Sequence, residues 1–83
     1  MAYEKVYVET VVKFNSYGGM RPIEIVWADG KRYVIDRLID VCRAPSKTGT
    51  LVAERYTVRV CGEQKYLYFE KDNQRWFVER RVF

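Results

Sequence analysis

The chain has 83 residues, 48% hydrophobic and 16% aromatic with seven tyrosines, which suits one modest core and excludes a disordered segment. Fifteen Lys and Arg against eleven Asp and Glu leave a mild charge of +4, and Arg outnumbers Lys nine to six, favouring bidentate and stacking contacts. With no histidine and only two cysteines, Cys42 and Cys61, the chain lacks the ligands of a zinc site and the base of a nucleophilic triad.

No apolar run approaches the roughly 20 residues a membrane-spanning helix needs. The N-terminus lacks a basic stretch followed by an apolar one, so the expectation is a cytoplasmic protein with no membrane contact. β-branched and aromatic residues dominate nearly every segment, and no long helical period is visible. Residues 1–83 are therefore expected to form one all-β domain.

The first expected strand spans about Tyr3 to Phe14, with Val6, Val8, Val12 and Phe14 alternating with Tyr7, Glu9, Val11 and Lys13. Asn15-Ser16-Tyr17-Gly18-Gly19 is a loop, and Pro22 marks the start of the second strand. The next turn, Ala28-Asp29-Gly30, reads as a three-residue loop with Gly30 left-handed. This pairs Ile25 with Tyr33 and Ile23 with Ile35, and gathers Ile23, Ile25, Trp27, Tyr33 and Ile35 on one face. The third strand runs through Leu38, Ile39 and Val41, with a bend or bulge at Asp36-Arg37 where the alternation breaks. Ala44 to Thr50 is polar and contains Pro and Gly, as a mobile loop would.

Two tight hairpins follow. Gly62-Glu63 as a type II′ turn sets Val60 opposite Lys65, Val58 opposite Leu67 and Tyr56 opposite Phe69. Asp72-Asn73 as a type I′ turn sets Phe69 opposite Trp76 and Leu67 opposite Val78. One face then carries Tyr56, Val58, Leu67, Phe69, Trp76 and Val78. The other carries the rows Arg55-Glu70-Arg75, Thr57-Tyr68-Phe77 and Arg59-Tyr66-Glu79. Six strands in meander order imply a small, strongly bent, SH3-like and partly open barrel. A two-layer roll with a short helix in Asp36–Cys42 is the alternative.

The spacing Trp27-x-x-Gly30-x-x-Tyr33, Leu38-Ile39-Asp40, Tyr56-x-Val58-x-Val60-x-Gly62, Tyr66-x-Tyr68 and Trp76-Phe77-Val78 resembles a family of short uncharacterised bacterial proteins. Some members are encoded near Y-family translesion DNA polymerases. The resemblance covers roughly Pro22 to Val82, and implies a small β barrel and a bacterial origin but no activity.

Chemistry is sparse. Ser16 and Ser46 are the only serines, no Gly-rich phosphate loop precedes a helix, and Asp36 and Asp40 read as ordinary surface carboxylates pairing with Arg37 and Arg43. No enzyme activity, cofactor or metal is expected. Cys42 and Cys61 read as reduced thiols, with a disulfide between them as the alternative.

The candidate site is the aromatic and basic face formed by Tyr66, Tyr68 and Phe77, bordered by Arg55, Arg59 and Arg75, with Arg81 close by. Exposed aromatics rimmed by Arg are what protein interface cores enrich, so the leading expectation is a protein partner or a homodimer. The alternative is stacking of unpaired bases in single-stranded or structured nucleic acid, with a DNA-repair association. A third outcome is that the first strand covers these rings and they form a second small core.

Overall fold

β-branched and aromatic side chains fit a pleated, half-buried surface, and every long run of them among the described residues is a strand. The computed structural model describes residues 2–49 and 53–82. The strands are β1 (Ala2–Phe14), β2 (Met20–Val26), β3 (Arg32–Ala44), β4 (Ala53–Val60), β5 (Glu63–Glu70) and β6 (Arg75–Val82). Each pairs antiparallel with the next, and β6 returns to β1, so one all-β sheet closes into a ring. Among the described residues there is no helix, and so none long and apolar enough to cross a membrane.

Two strands of 13 residues hold the ring together by changing partners midway. β1 pairs with β6 over Ala2–Val8 and with β2 over Glu9–Phe14. β3 pairs with β2 over Arg32–Val34 and with β4 over Ile35–Ala44. Such strands must coil, and bulges supply the bend. In β3 the register skips Asp36 and again Ile39, so the break in alternation at Asp36-Arg37 is a bulge inside one continuous strand. The helical alternative over Asp36–Cys42 is excluded.

A third bulge lies in β2, where Val11 pairs with Glu24 and the next residue, Val12, pairs with Pro22. Ile23 is the extra residue and turns outward to 37% exposure, while Pro22 before it and Ile25 two residues after it are buried. This corrects the expectation that Ile23 shares the core face with Ile25 and pairs with Ile35. The bulge also explains a buried proline in a strand, since its neighbour leaves the ladder.

The hairpins divide in their outcomes. Ala28-Asp29-Gly30 is the expected three-residue loop, with Gly30 at φ 88°, Trp27 N–H donating to Lys31 C=O at 2.8 Å, and Ile25 opposite Tyr33. The β5–β6 ladder sets Phe69 opposite Trp76 as expected. Its loop is longer, however, and Gln74, at φ 55°, takes the left-handed position instead of Asp72 or Asn73. The β4–β5 turn is Cys61-Gly62, at φ 52° and 77°, a type I′ pair with glycine second instead of a type II′ pair with glycine first. Val60 therefore faces Glu63, Val58 faces Lys65 and Tyr56 faces Leu67. The ladder is shifted by two residues from the expected one. A shift of two preserves which face each side chain occupies, so the expected core face survives.

Inside the ring, Ile25, Tyr56, Val58, Val60, Leu67 and Trp76 form the buried core, with Val8, Val12, Met20, Tyr33, Ile35, Leu38, Phe69 and Val78 packed against it. The Trp76 ring lies 4.7 Å from that of Phe69 and 5.0 Å from that of Tyr56, centroid to centroid. Burying each large apolar side chain contributes about 1.5–3 kcal/mol. Phe14, expected on this face, is 66% exposed at the end of β1.

Candidate functional site

The register places Arg55, Tyr68, Phe77 and Tyr7 in one row across the outside of β4, β5, β6 and β1. Tyr68 and Phe77 stack with centroids 5.0 Å apart and planes 10° from parallel, and Tyr7 meets Phe77 edge-on at 6.0 Å. Cations cap the rings. Lys5 Nζ sits 4.6 Å from the Phe77 centroid, Arg75 3.4 Å from that of Tyr7, and Arg55 4.5 Å from that of Tyr66. Glu70 ties this roof together, accepting hydrogen bonds from Lys5 Nζ at 2.8 Å, the Tyr7 hydroxyl at 2.7 Å and Asn73 at 3.0 Å.

The expected aromatic face is therefore largely a second core, formed by Ala53, Tyr68 and Phe77. Phe77 is wholly buried and Tyr68 4% exposed, while Tyr66 alone of the three rings is exposed. The structure gathers Arg55, Tyr66, Tyr68, Phe77 and Arg75 around this cluster. Arg59 stands apart, directly opposite Arg37 and beside Gln64. Two relationships were not legible locally. The two-residue shift brings Arg55 beside Tyr68, and strand β1, some seventy residues away in the chain, brings Lys5 and Tyr7.

Electrostatics follow the packing. Burial pushes the Tyr68 hydroxyl up to about 12, helped by the Glu79 carboxylate beside it. Burial alone would raise Glu70, but the hydrogen bonds from Lys5, Tyr7 and Asn73 outweigh it and hold the carboxyl at about 2. Cys42, half-buried, and Cys61, exposed, are both free thiols.

A different opening lies between β5 and β6. Their ladder consists of Tyr68↔Phe77, Phe69↔Trp76 and Glu70↔Arg75, and goes no further among the described residues. Beyond it, Glu63–Leu67 pairs only with β4 and Val78–Val82 only with β1. A cleft of about 610 Å³ runs through this seam. Ile25, Tyr33, Val58, Val60, Leu67 and Val78 line it from the barrel interior, and Tyr3, Tyr66, Tyr68 and Glu79 from outside.

The sequence offers a physical reason for an open seam. Continuing the β5–β6 register would set Lys65 directly opposite Arg80, both on the inward face. Like charges opposed across a ladder repel, and turning them inward adds the cost of desolvation. Instead Lys65 pairs with Glu63 at 3.4 Å and stays in solvent, and Arg80 pairs with Glu4 on β1. The alternation of β5 is apolar inward at Leu67 and Phe69 and charged inward at Glu63 and Lys65, the only local signal that this edge is unpaired.

Comparison with known proteins finds no family model that matches the chain, no matching curated protein and no matching solved structure.

Proposed function

We propose that the chain is a binding module, not an enzyme, that takes up an extended segment of a partner polypeptide in the seam between β5 and β6. The observation that carries this reading is the ladder that stops at Tyr68↔Phe77 and leaves two strand edges facing one another across a cleft. Each edge offers a row of backbone N–H and C=O groups. An extended chain matches such a row, with main-chain hydrogen bonds giving affinity and pockets for alternate side chains giving selectivity. The five residues Glu63–Leu67 span roughly 17 Å, room for a short segment. Its inward side chains would meet the half-buried Tyr33 and Val78, which lie over the buried core residues Ile25, Val58, Val60 and Leu67.

The test is a display library of random octapeptides, selected on the wild-type protein and counter-selected on a closed seam. Closure comes from a disulfide between Tyr66→Cys and Glu79→Cys, opposite in the continued register, with Cys42→Ser and Cys61→Asn removing the native thiols. Lys65→Val with Arg80→Val gives a second closed form without a disulfide. Peptides of alternating apolar pattern that bind the wild type and lose both closed forms support the reading. No enrichment, or equal binding to the closed forms, overturns it.

A further inference from the structure

β1 and β2 end in a hairpin loop that the seam reading does not use. The last two pairs of this hairpin are Lys13↔Arg21 and Phe14↔Met20. The loop beyond them is tightly built. Asn15 Oδ1 accepts from Tyr17 N–H at 2.9 Å and Gly19 N–H at 2.8 Å, while Asn15 N–H donates to Gly19 C=O at 2.9 Å. Gly18 holds φ 86°, a conformation other residues adopt at a cost. On this braced turn Tyr17 is 96% exposed, so both faces of its ring are bare.

The cations of the Lys13↔Arg21 pair, one ladder pair back from the loop, are also unmatched. Lys13 and Arg21 are exposed and directly opposed, and among the described residues neither has a carboxylate within ion-pair distance. Like charges in that position destabilise a free hairpin and become favourable only against an anion.

We infer that this hairpin end is a contact site for single-stranded nucleic acid, with Tyr17 stacking on an unpaired base and Lys13 and Arg21 neutralising phosphates. An acidic peptide would use the two cations but leave the ring idle. A duplex hides its base faces in the stack, whereas a single strand offers a π-face and a phosphate at every nucleotide. The hydrogen-bonded loop fixes the backbone that carries the ring, so less conformational freedom is lost on contact.

Fluorescence anisotropy with labelled oligothymidylate, oligouridylate and a duplex, each at two salt concentrations, tests this. Tyr17→Ala is expected to weaken single-strand binding on the order of tenfold, with an unchanged melting midpoint because the ring buries nothing. Lys13→Ala with Arg21→Ala is expected to flatten the log–log salt slope by about 1.4, at roughly 0.7 per phosphate. The seam-closing disulfide is expected to leave this binding intact, which separates it from the peptide-binding reading. No wild-type binding at low salt, equal binding of the duplex, or an unaltered Tyr17→Ala overturns the inference. So does a labelled poly-glutamate peptide that binds as tightly as the single strands through Lys13 and Arg21.

Discussion

Tyr68 and Phe77 stack nearly parallel, 5.0 Å between centroids, on the outer side of the barrel wall, yet both are buried. The salt-bridged Lys5 and Glu70, with Tyr7, roof them. Polar side chains here do the work of a second sheet, because the long stems of Lys and Arg cover apolar surface while their heads stay hydrated.

Phe77→Ala should therefore behave as a core mutation. The expected loss is about 3–5 kcal/mol, a large share of the total stability of a domain this size. Tyr66→Ala, at an exposed ring, should cost under about 1 kcal/mol. Urea denaturation midpoints compare the two directly, and equal small losses would contradict the second core.

Glu70 makes stability depend on pH at the acid end. Its carboxyl is held at about 2 in the folded protein against an ordinary 4.5, so the stabilisation is fully present above about pH 4.5 and is lost as pH falls toward 2. Lys5 works at the other end. The Glu70 hydrogen bond raises it above 10.5, so its contribution is present below that pH and fades as pH climbs beyond it. Glu70→Gln should flatten the acid limb of a stability-versus-pH curve, and an unchanged limb would place the dependence elsewhere.

The Cys61-Gly62 turn needs positive φ at both positions, and cysteine is a poor choice for the first. Cys61→Asn should stabilise by about 0.5–1 kcal/mol by supplying an Asn-Gly type I′ turn. Gly62→Ala should destabilise by about 1–2 kcal/mol. Thermal melts of both variants check the sign of each.

Arg59, expected at the aromatic site, instead faces Arg37 across the β3–β4 ladder. Arg59→Glu should replace a repulsion with an attraction and stabilise by about 0.5 kcal/mol, with the gain shrinking as salt is added. A salt-independent change would point to packing.

How far the sequence revealed this fold depended on what each feature required. Faces were legible, because side-chain period is two and Val58, Leu67 and Trp76 cannot tolerate solvent. The Ala28-Asp29-Gly30 loop and the Phe69↔Trp76 pairing were legible because apolar matching on both sides admitted one solution. The β4–β5 register was not. Placing Gly62 first or second in the loop changes the pairing by two residues and leaves the apolar face unchanged, so patterning could not choose between them. Burial of Tyr68 and Phe77 was open for a different reason. It depends on where Lys5 and Tyr7 land, and that is set by the return of β6 to β1, a contact between the ends of the chain.

The seam has a cause that can be removed. With Lys65→Val, the like-charge pair with Arg80 that a continued ladder would create disappears, and an apolar residue takes the inward position opposite Val58. The β5–β6 ladder should then extend toward Glu63, raising the urea midpoint and adding protected amides in Glu63–Leu67. A lowered midpoint without new protection would mean that something other than this charge pair holds the strands apart.

Site-resolved amide hydrogen exchange on the wild-type protein tests the open seam itself. The ladder at Tyr68–Glu70 and Arg75–Phe77 should be protected, while alternate amides of Glu63–Leu67 and Val78–Arg81, those turned toward the cleft, should exchange at rates close to those of an unstructured chain. Uniform protection along both strands would show that β5 and β6 pair over their whole length and leave no edge for a partner to join.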